Sequence, residues 1–328
     1  MNARERFRRT LLFENPDRIP FQPGEPREST LRAWYTQGLT PGCDYFDGLI
    51  EALDLPPEVR PKFADAGVSF RMIPEFEEEI LDHRDGHYLI RDWMGAIVEI
   101  ADSYDPSYLR TPRDFVTRKW HRFPVENRHD WETMKNRYDP NAPGRYPDNF
   151  QTRCRELENS DHVVEFRFNG PFWQLREWCG FEGLCLLFHD DPGFVEEMIG
   201  FWTDFISETM RPILETLRVD RVGISEDMAY KNHSMISPQM TREFLAPAYR
   251  KWVGEVKNSG CPIIDMDSDG YIGELIPIWI ETGMNCCDPI EVAAGNDIVE
   301  YRKRFGKTMA YIGGIDKRAI AAGGEAMR

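Results

Sequence analysis

Between Pro262 and Gly270 the chain reads PIIDMDSDG, and three aspartates, Asp265, Asp267 and Asp269, arrive there at alternate positions. Carboxylates at the end of a buried strand are costly unless they are paired, protonated or bound to a cation. Asp-x-Asp offers hard oxygen ligands suited to Mg, Mn or Ca, and acceptable to Zn when nitrogen or sulfur completes the set. His233, on the loop beyond Asp227, is the candidate nitrogen ligand, so Asp267, Asp269 and His233 form the expected metal set. Without a metal, the same carboxyls could divide into a proton donor and a base whose pKa values are pushed apart. Asp267, Asp269 and Asp227 are therefore the catalytic candidates.

Other strand ends carry similar groups. Asn169 ends one expected strand, Glu226 and Asp227 the next, Asp288 and Glu291 follow another, and Asp316 the last. In a barrel of parallel strands these ends converge on one mouth, where ligands bind. Asp and Asn at such positions also cap helices and tie down loops, which is their commoner use. Phe172, Trp173 and Tyr230 could wall a pocket for a flat substrate. Asn169, Trp173, Glu226, Tyr230 and Asp316 are the substrate-binding candidates. Cys286 and Cys287 must point in opposite directions on a strand, so at most one can face a barrel interior.

The elements that would hold these residues are most regular in the second half. Strands are expected at Val163 to Phe168, Asp220 to Ile224, Cys261 to Ile264, Met284 to Cys287 and Thr308 to Ile312, each followed by a helical pattern. One helix should run from about Pro192 to Leu217 and another from Tyr271 to Thr282; Ser237 and Pro238 open a third by a cap and a first-turn proline. Five strand-helix units with apolar strands mean a parallel sheet covered on both faces. The first half is less regular. Residues 2 to 13 read as a basic amphipathic helix with Phe7, Leu11 and Leu12 on one side, and Arg18 to Phe21 as a first strand. Tyr88 to Ile90 and Ala96 to Val98, joined through Asp92-Trp93-Met94-Gly95, read as a hairpin decorating the barrel. Ser103 to Asn159 reads as loops and helices over the barrel face, with His121 and His129 as ordinary solvated histidines. The expected architecture is an α/β TIM (β/α)8 barrel over residues 1–328, a single domain ending before its last strand-helix unit.

Composition narrows the function. The chain has 328 residues, 41% of them hydrophobic, with 20 Phe and 9 Trp, enough for a large core. A net charge of −16 argues against a nucleic-acid surface. A site lined with aspartates should also repel carboxylate-rich ligands. The seven scattered cysteines, an odd number lying mostly in apolar segments, suit reduced core thiols. No apolar run reaches the length of a membrane span and the charged start has no signal-peptide core, so a cytoplasmic protein is expected.

The segments GISEDMAYKNHSMISPQM, DSDG and LIPIWIETGMNCCDPIEVAAGN, together with the opening RERFRRTLLFENPDRIPF, resemble the uroporphyrinogen decarboxylase superfamily. EFEEEILDHRDGHYLIRDWMGAIVEI resembles a segment of its decarboxylase-like branch. The resemblance implies a TIM barrel and association into a homodimer. Authentic decarboxylases use an arginine-rich motif after the first strand, where this chain has PFQPGEPREST with Arg27 between Glu25 and Glu28. Losing that cradle argues against a porphyrinogen substrate. The related corrinoid-dependent methyltransferases carry a His-x-Cys-Gly zinc motif where this chain has Asp267-Ser268-Asp269-Gly270, with Asp267 at the histidine position and Asp269 at the cysteine position. A third family ligand, a cysteine, falls beyond Arg328.

The expected function is transfer of a methyl group from a small methylated or methoxylated compound to a corrinoid (cobalamin), free or on a corrinoid protein. A divalent metal, Zn or Mg/Mn, held by Asp267 and Asp269 would assist. The alternatives are a metal-free decarboxylase, with a strand-end Asp as proton donor, and a non-catalytic binding module.

Overall fold

The computed structural model describes residues 1–327. Its strands, in chain order, are β1 (Phe63–Ala64), β2 (Glu79–Arg84), β3 (His87–Arg91), β4 (Ile97–Ala101), β5 (Arg118–Arg122), β6 (Val163–Asn169), β7 (Arg221–Ser225), β8 (Ile263–Asp267), β9 (Cys286–Ile290) and β10 (Ala310–Gly313). Six of them form one parallel sheet in the order β1-β6-β7-β8-β9-β10, and β2 to β5 form a separate antiparallel sheet.

Strand order equal to chain order, with a helix after each long strand, is the winding expected of a TIM-like α/β fold. The sheet has six strands rather than eight, and its edge strands β1 and β10 do not pair with each other among the described residues. The strand expected at Arg18 to Phe21 is absent: that segment is irregular, with Phe21 N–H donating to Val59 O at 3.1 Å. Pro20 and Pro23 remove ladder donors on both sides of Phe21. The helix expected from Tyr271 is confined to Ile276–Thr282. Asn296 takes the backbone that would have begun it, accepting from Ile272 N at 3.1 Å and donating to Gly270 O at 2.8 Å.

Alternation along the strands sorts side chains into two layers. On β6, Val164, Phe166 and Phe168 face the helices and join the main core, whose largest fully buried side chains include Trp131, Trp178, Trp202, Trp252 and Trp279. Val163, with Ile263, Cys286 and Ala310, packs inside the sheet against Phe7 and Leu11 of the helix Ala3–Leu11. That helix begins at Asn2, whose side chain accepts from Glu5 N at 2.8 Å, and closes the end of the sheet where the strands start. Arg4 and Arg8 fasten it to buried Asp220 at 2.8 and 3.4 Å. Cys287 packs in the main core, so the adjacent cysteines do face opposite ways.

The expected hairpin is β3 and β4, within the four-stranded sheet. Its turn is held by Asp92, which accepts from Met94 N at 3.0 Å and Ala96 N at 2.9 Å. Gly95 in that turn has φ +90°, and a Cβ there would lie 2.7 Å from the Phe76 ring. Ile90, Ala96, Val98, Ile100 and Leu109 give the small sheet its own core. β5 is unanticipated, because its residues RKWHR are mostly exposed on an edge and show no apolar alternation. His121 on it donates to or accepts from Glu99 at 2.7 Å.

Candidate functional site

The inner layer changes character along the strands. Above the apolar plug lie Glu165 and Arg167 from β6, Arg221 from β7, Asp265 and Asp267 from β8, and Asp288 from β9. Arg221 pairs with Asp265, with Asp288 at 3.1 Å and with Glu165 at 3.2 Å. Arg167 reaches Asp267 at 2.7 Å, Asp265 at 3.2 Å and Asp288 at 3.7 Å. Gly223 on β7 makes room for this guanidinium, since a Cβ there would lie 2.8 Å from Arg167 Nε. Burial alone would raise the Asp265 pKa, but Arg221 and Arg167 outweigh it and hold it below the ordinary value. Asp288 is pushed up to about 8 by burial and by the charge on Asp265, so it keeps a proton at neutral pH. The aspartates that stood out in the sequence are thus largely neutralised from within the sheet.

A cavity of approximately 1170 Å³ opens beyond the strand ends, between them and the antiparallel sheet. Its floor is Arg167, Asn169, Ser225 and Asp227; one wall is Trp173, Arg176 and Glu177 of the helix Pro171–Cys179. The opposite wall comes from the first half of the chain: Arg71, Trp93, Arg110, Arg118, Trp120 and Phe123. Five arginines therefore meet three carboxyls, Glu177, Glu182 and Asp227, around this space. That corrects the expectation of an acidic site hostile to anions. Arg27, the position compared with the decarboxylase cradle, lies elsewhere, 3.4 Å from the Phe115 ring centroid.

Glu177 is the most perturbed carboxyl on the cavity wall. Trp173 Nε1 donates to its Oε1 at 2.6 Å, and Asn169 Nδ2 lies 3.4 Å from its Oε2. Burial pushes its pKa up to about 7, against the pull of the Trp173 hydrogen bond and of Arg176. A carboxyl that exchanges its proton near neutrality, in a cavity, is suited to general acid-base work. Sequence reasoning missed it; the available signal was the Trp173 and Glu177 pair, four residues apart on the helix that follows Asn169-Gly170-Pro171.

The other expected residues are dispersed. Asp227 lines the cavity in a left-handed conformation, φ +39°, and accepts from Arg176 through its backbone O at 2.8 Å and its carboxylate at 3.2 Å. Arg176 stacks 4.9 Å from the Trp173 ring centroid, so the pair ties the loop after β7 to this wall of the cavity. Glu226 is fully buried away from the cavity. It accepts from Tyr249 Oη and, at 2.8 Å, from Trp173 N, capping the helix Pro171–Cys179 from a neighbouring strand. Burial pushes its pKa up to about 7. Gly170 is required there, because a Cβ would lie 2.2 Å from Glu226 Cδ. Tyr230 is 53% exposed and is not part of the cavity wall. Asp316 caps the helix Lys317–Ala322 and pairs with Arg318 at 2.8 Å, a structural use.

The expected metal ligands are not brought together. Asp267 Oδ2 takes Arg167 and also Ser225 Oγ at 3.2 Å. Asp269 is exposed, and His233 sits 4.0 Å from Glu274 with its side chain 68% exposed. Among the described residues no three His, Cys, Asp or Glu side chains are grouped so as to hold a metal ion. This donor set does not fit a divalent metal, because Asp267 Oδ2 is already held by Arg167 and no three donors are grouped around one point. No helix among the described residues is long and apolar enough to cross a membrane.

No family model matches the chain, and no curated protein sequence matches it. Among solved structures it is similar to a methyltransferase from Methanosarcina mazei, with a TM-score of 0.55 and 13% identity over 95% of this chain and 82% of that one. At that identity the likeness supports the TIM-like α/β architecture and does not extend to substrate or cofactor.

Proposed function

We propose that the chain is a methyl-transfer enzyme that takes a small, flat methylated or methoxylated substrate into the cavity beyond the strand ends, with a corrinoid as methyl acceptor. The observation that carries the reading is Glu177, a carboxyl exchanging its proton near pH 7 on the wall of an aromatic-lined cavity. A methyl ether loses its methyl group only when the departing oxygen is stabilised, and a proton from a nearby acid does this. The C–O bond would break with its electron pair left on the oxygen that the acid protonates. A corrinoid, when bound, supplies the nucleophile that receives the methyl group. Trp120 and Phe181, at 40% and 46% exposure, border the cavity and are the apolar surface against which the face of a corrinoid would rest.

The chain's own residues do the rest. Trp173 Nε1 holds Glu177 Oε1 as an acceptor at 2.6 Å, so the proton sits on Oε2, where the Asn169 Nδ2 contact is long at 3.4 Å. Trp93, Trp173 and Phe123 flank the space with rings that can hold a flat substrate and exclude water. Arg176 and Asp227 fix the loop that closes the floor. The test is to incubate the chain with methoxylated benzoates and reduced cobalamin and to follow the free phenol by chromatography. Phenol that forms only with both chain and cobalamin supports the reading, and none with any donor in such a panel sinks it.

A second reading, a metal-free carboxy-lyase, is favoured by the excess of guanidinium over carboxylate around the cavity. There Glu177 would protonate the carbanion left by departing carbon dioxide. Release of carbon dioxide without any corrinoid would separate it from methyl transfer.

A further inference from the structure

We infer that Arg71 and Arg118 form an anion-recognition site in the cavity, and that the substrate they select carries a carboxylate on a flat apolar body. The inference deepens the reading of this cavity as the substrate site. Of the five arginines around the space, three are already matched. Arg110 pairs with Glu75 and, at 2.8 Å, with Glu78; Arg176 pairs with Asp227; Arg167 is shared by three aspartates. Arg71 and Arg118 have no ion-pair partner among the described residues.

What they do have is aromatic support. Arg71 lies 5.0 Å from the Trp93 ring centroid and Arg118 lies 5.3 Å from that of Trp120, and both rings line the same space. Stacking of this kind fixes a guanidinium plane while leaving its N–H edge free to donate. Arg118 is only half-buried by the small sheet, and burial pulls its pKa down by more than the nearby Asp92 carboxyl raises it. The carboxyl that most affects it, Asp92, spends Oδ1 on two backbone N–H groups of its turn and makes no hydrogen bond to Arg118. A carboxylate is the ligand that a guanidinium edge grips with two parallel N–H bonds, and the rings beside both arginines border the space that a flat body would enter.

The test uses two probes of one shape, 4-methoxybenzoate and 4-methoxybenzamide, titrated calorimetrically into the full chain. The wild type should bind the benzoate at least about tenfold more tightly, the scale of one charge-assisted hydrogen-bonded contact. Arg71→Ala and Arg118→Ala should each erode that preference, and the double variant should abolish it. Arg118→Lys should retain part of it, because charge survives while the planar fork does not. Equal affinity for the two probes, no binding of either, or a preference that persists in the double variant would overturn the inference. Titration needs no turnover, so the two claims fail separately. A chain that prefers the benzoate yet releases no phenol keeps the anion site and loses methyl transfer, whereas one that demethylates the amide equally well loses only the anion site.

Discussion

The arginines inside the sheet and those across the cavity differ in one respect, whether their charge is answered. Arg167 and Arg221 each meet three carboxyl groups at ion-pair distance, Asp288 in its protonated form among them, and Gly223 is kept small to admit Arg167. Arg71 and Arg118 meet aromatic faces and, among the described residues, no carboxylate at ion-pair distance. A charge that is buried and fully matched holds a fold together, and removing one partner strands the other. A charge that is ordered and unmatched at a cavity wall awaits a ligand. On the proposed reading the chemistry lies at the wall carrying Glu177, since Asp265 and Asp267 of β8 belong to the matched group.

The comparison can be broken first at its buried half. Asp265→Ala would leave Arg221 with one strong partner fewer in a fully buried position, and should lower the unfolding free energy by about 3–5 kcal/mol, read from urea denaturation. A loss no larger than a surface substitution would mean that the ion pairs inside the sheet are not structural.

Glu226 sharpens the contrast between a buried carboxyl that supports and one that reacts. Its folded pKa, about 7, lies above the ordinary glutamate value of 4.5. Between those values the native state holds a proton that the unfolded state has lost, so this group's contribution is full at low pH and declines as pH rises through 7. Glu226→Gln keeps an acceptor for Trp173 N, turns an amide N–H toward Tyr249 Oη where a carboxyl oxygen accepted, and cannot ionise. Its thermal midpoint should therefore gain on that of the wild type from about pH 5 to about pH 8, by the equivalent of roughly 2–3 kcal/mol. Parallel curves would show that Glu226 does not hold its proton.

The smallest effects belong to the unmatched and exposed groups. Arg118→Ala and Asp269→Ala should each change unfolding free energy by no more than about 0.5 kcal/mol. A larger loss in Arg118→Ala would indicate a partner within the fold and would weaken the contrast from the cavity side.

The parallel strands from β6 to β10 were legible in the sequence because they read as apolar and a helical pattern follows each. Their contents were less so. Glu165 and Arg167 interrupt the apolar residues of β6 at alternate positions, which is the mark of a second, polar face. Asp267 was legible by spacing alone, yet its partner lies 100 residues earlier, and no local pattern announces a pairing at that separation. Asp316 was marked as a site residue by its position after a strand, the same position that suits a helix cap. β5 carries no alternation because only one of its edges is paired, to β4, and its side chains are mostly solvated. The cavity itself was illegible, since half its wall comes from residues 68 to 123 and half from residues 167 to 227, joined only by tertiary packing.

The most direct test of the account is the pH dependence of phenol release from 4-methoxybenzoate, with reduced cobalamin at saturation, in the wild type and in Glu177→Gln. If Glu177 delivers the proton, wild-type kcat should be high below pH 7 and fall as pH rises through about 7, where the carboxyl loses its proton. The variant should be slower by roughly 10²–10⁴-fold, with that fall gone while the chain stays folded across the pH range. A variant that keeps the wild-type rate and profile would contradict the assignment of Glu177 as the acid and, with it, the placement of the chemistry in this cavity.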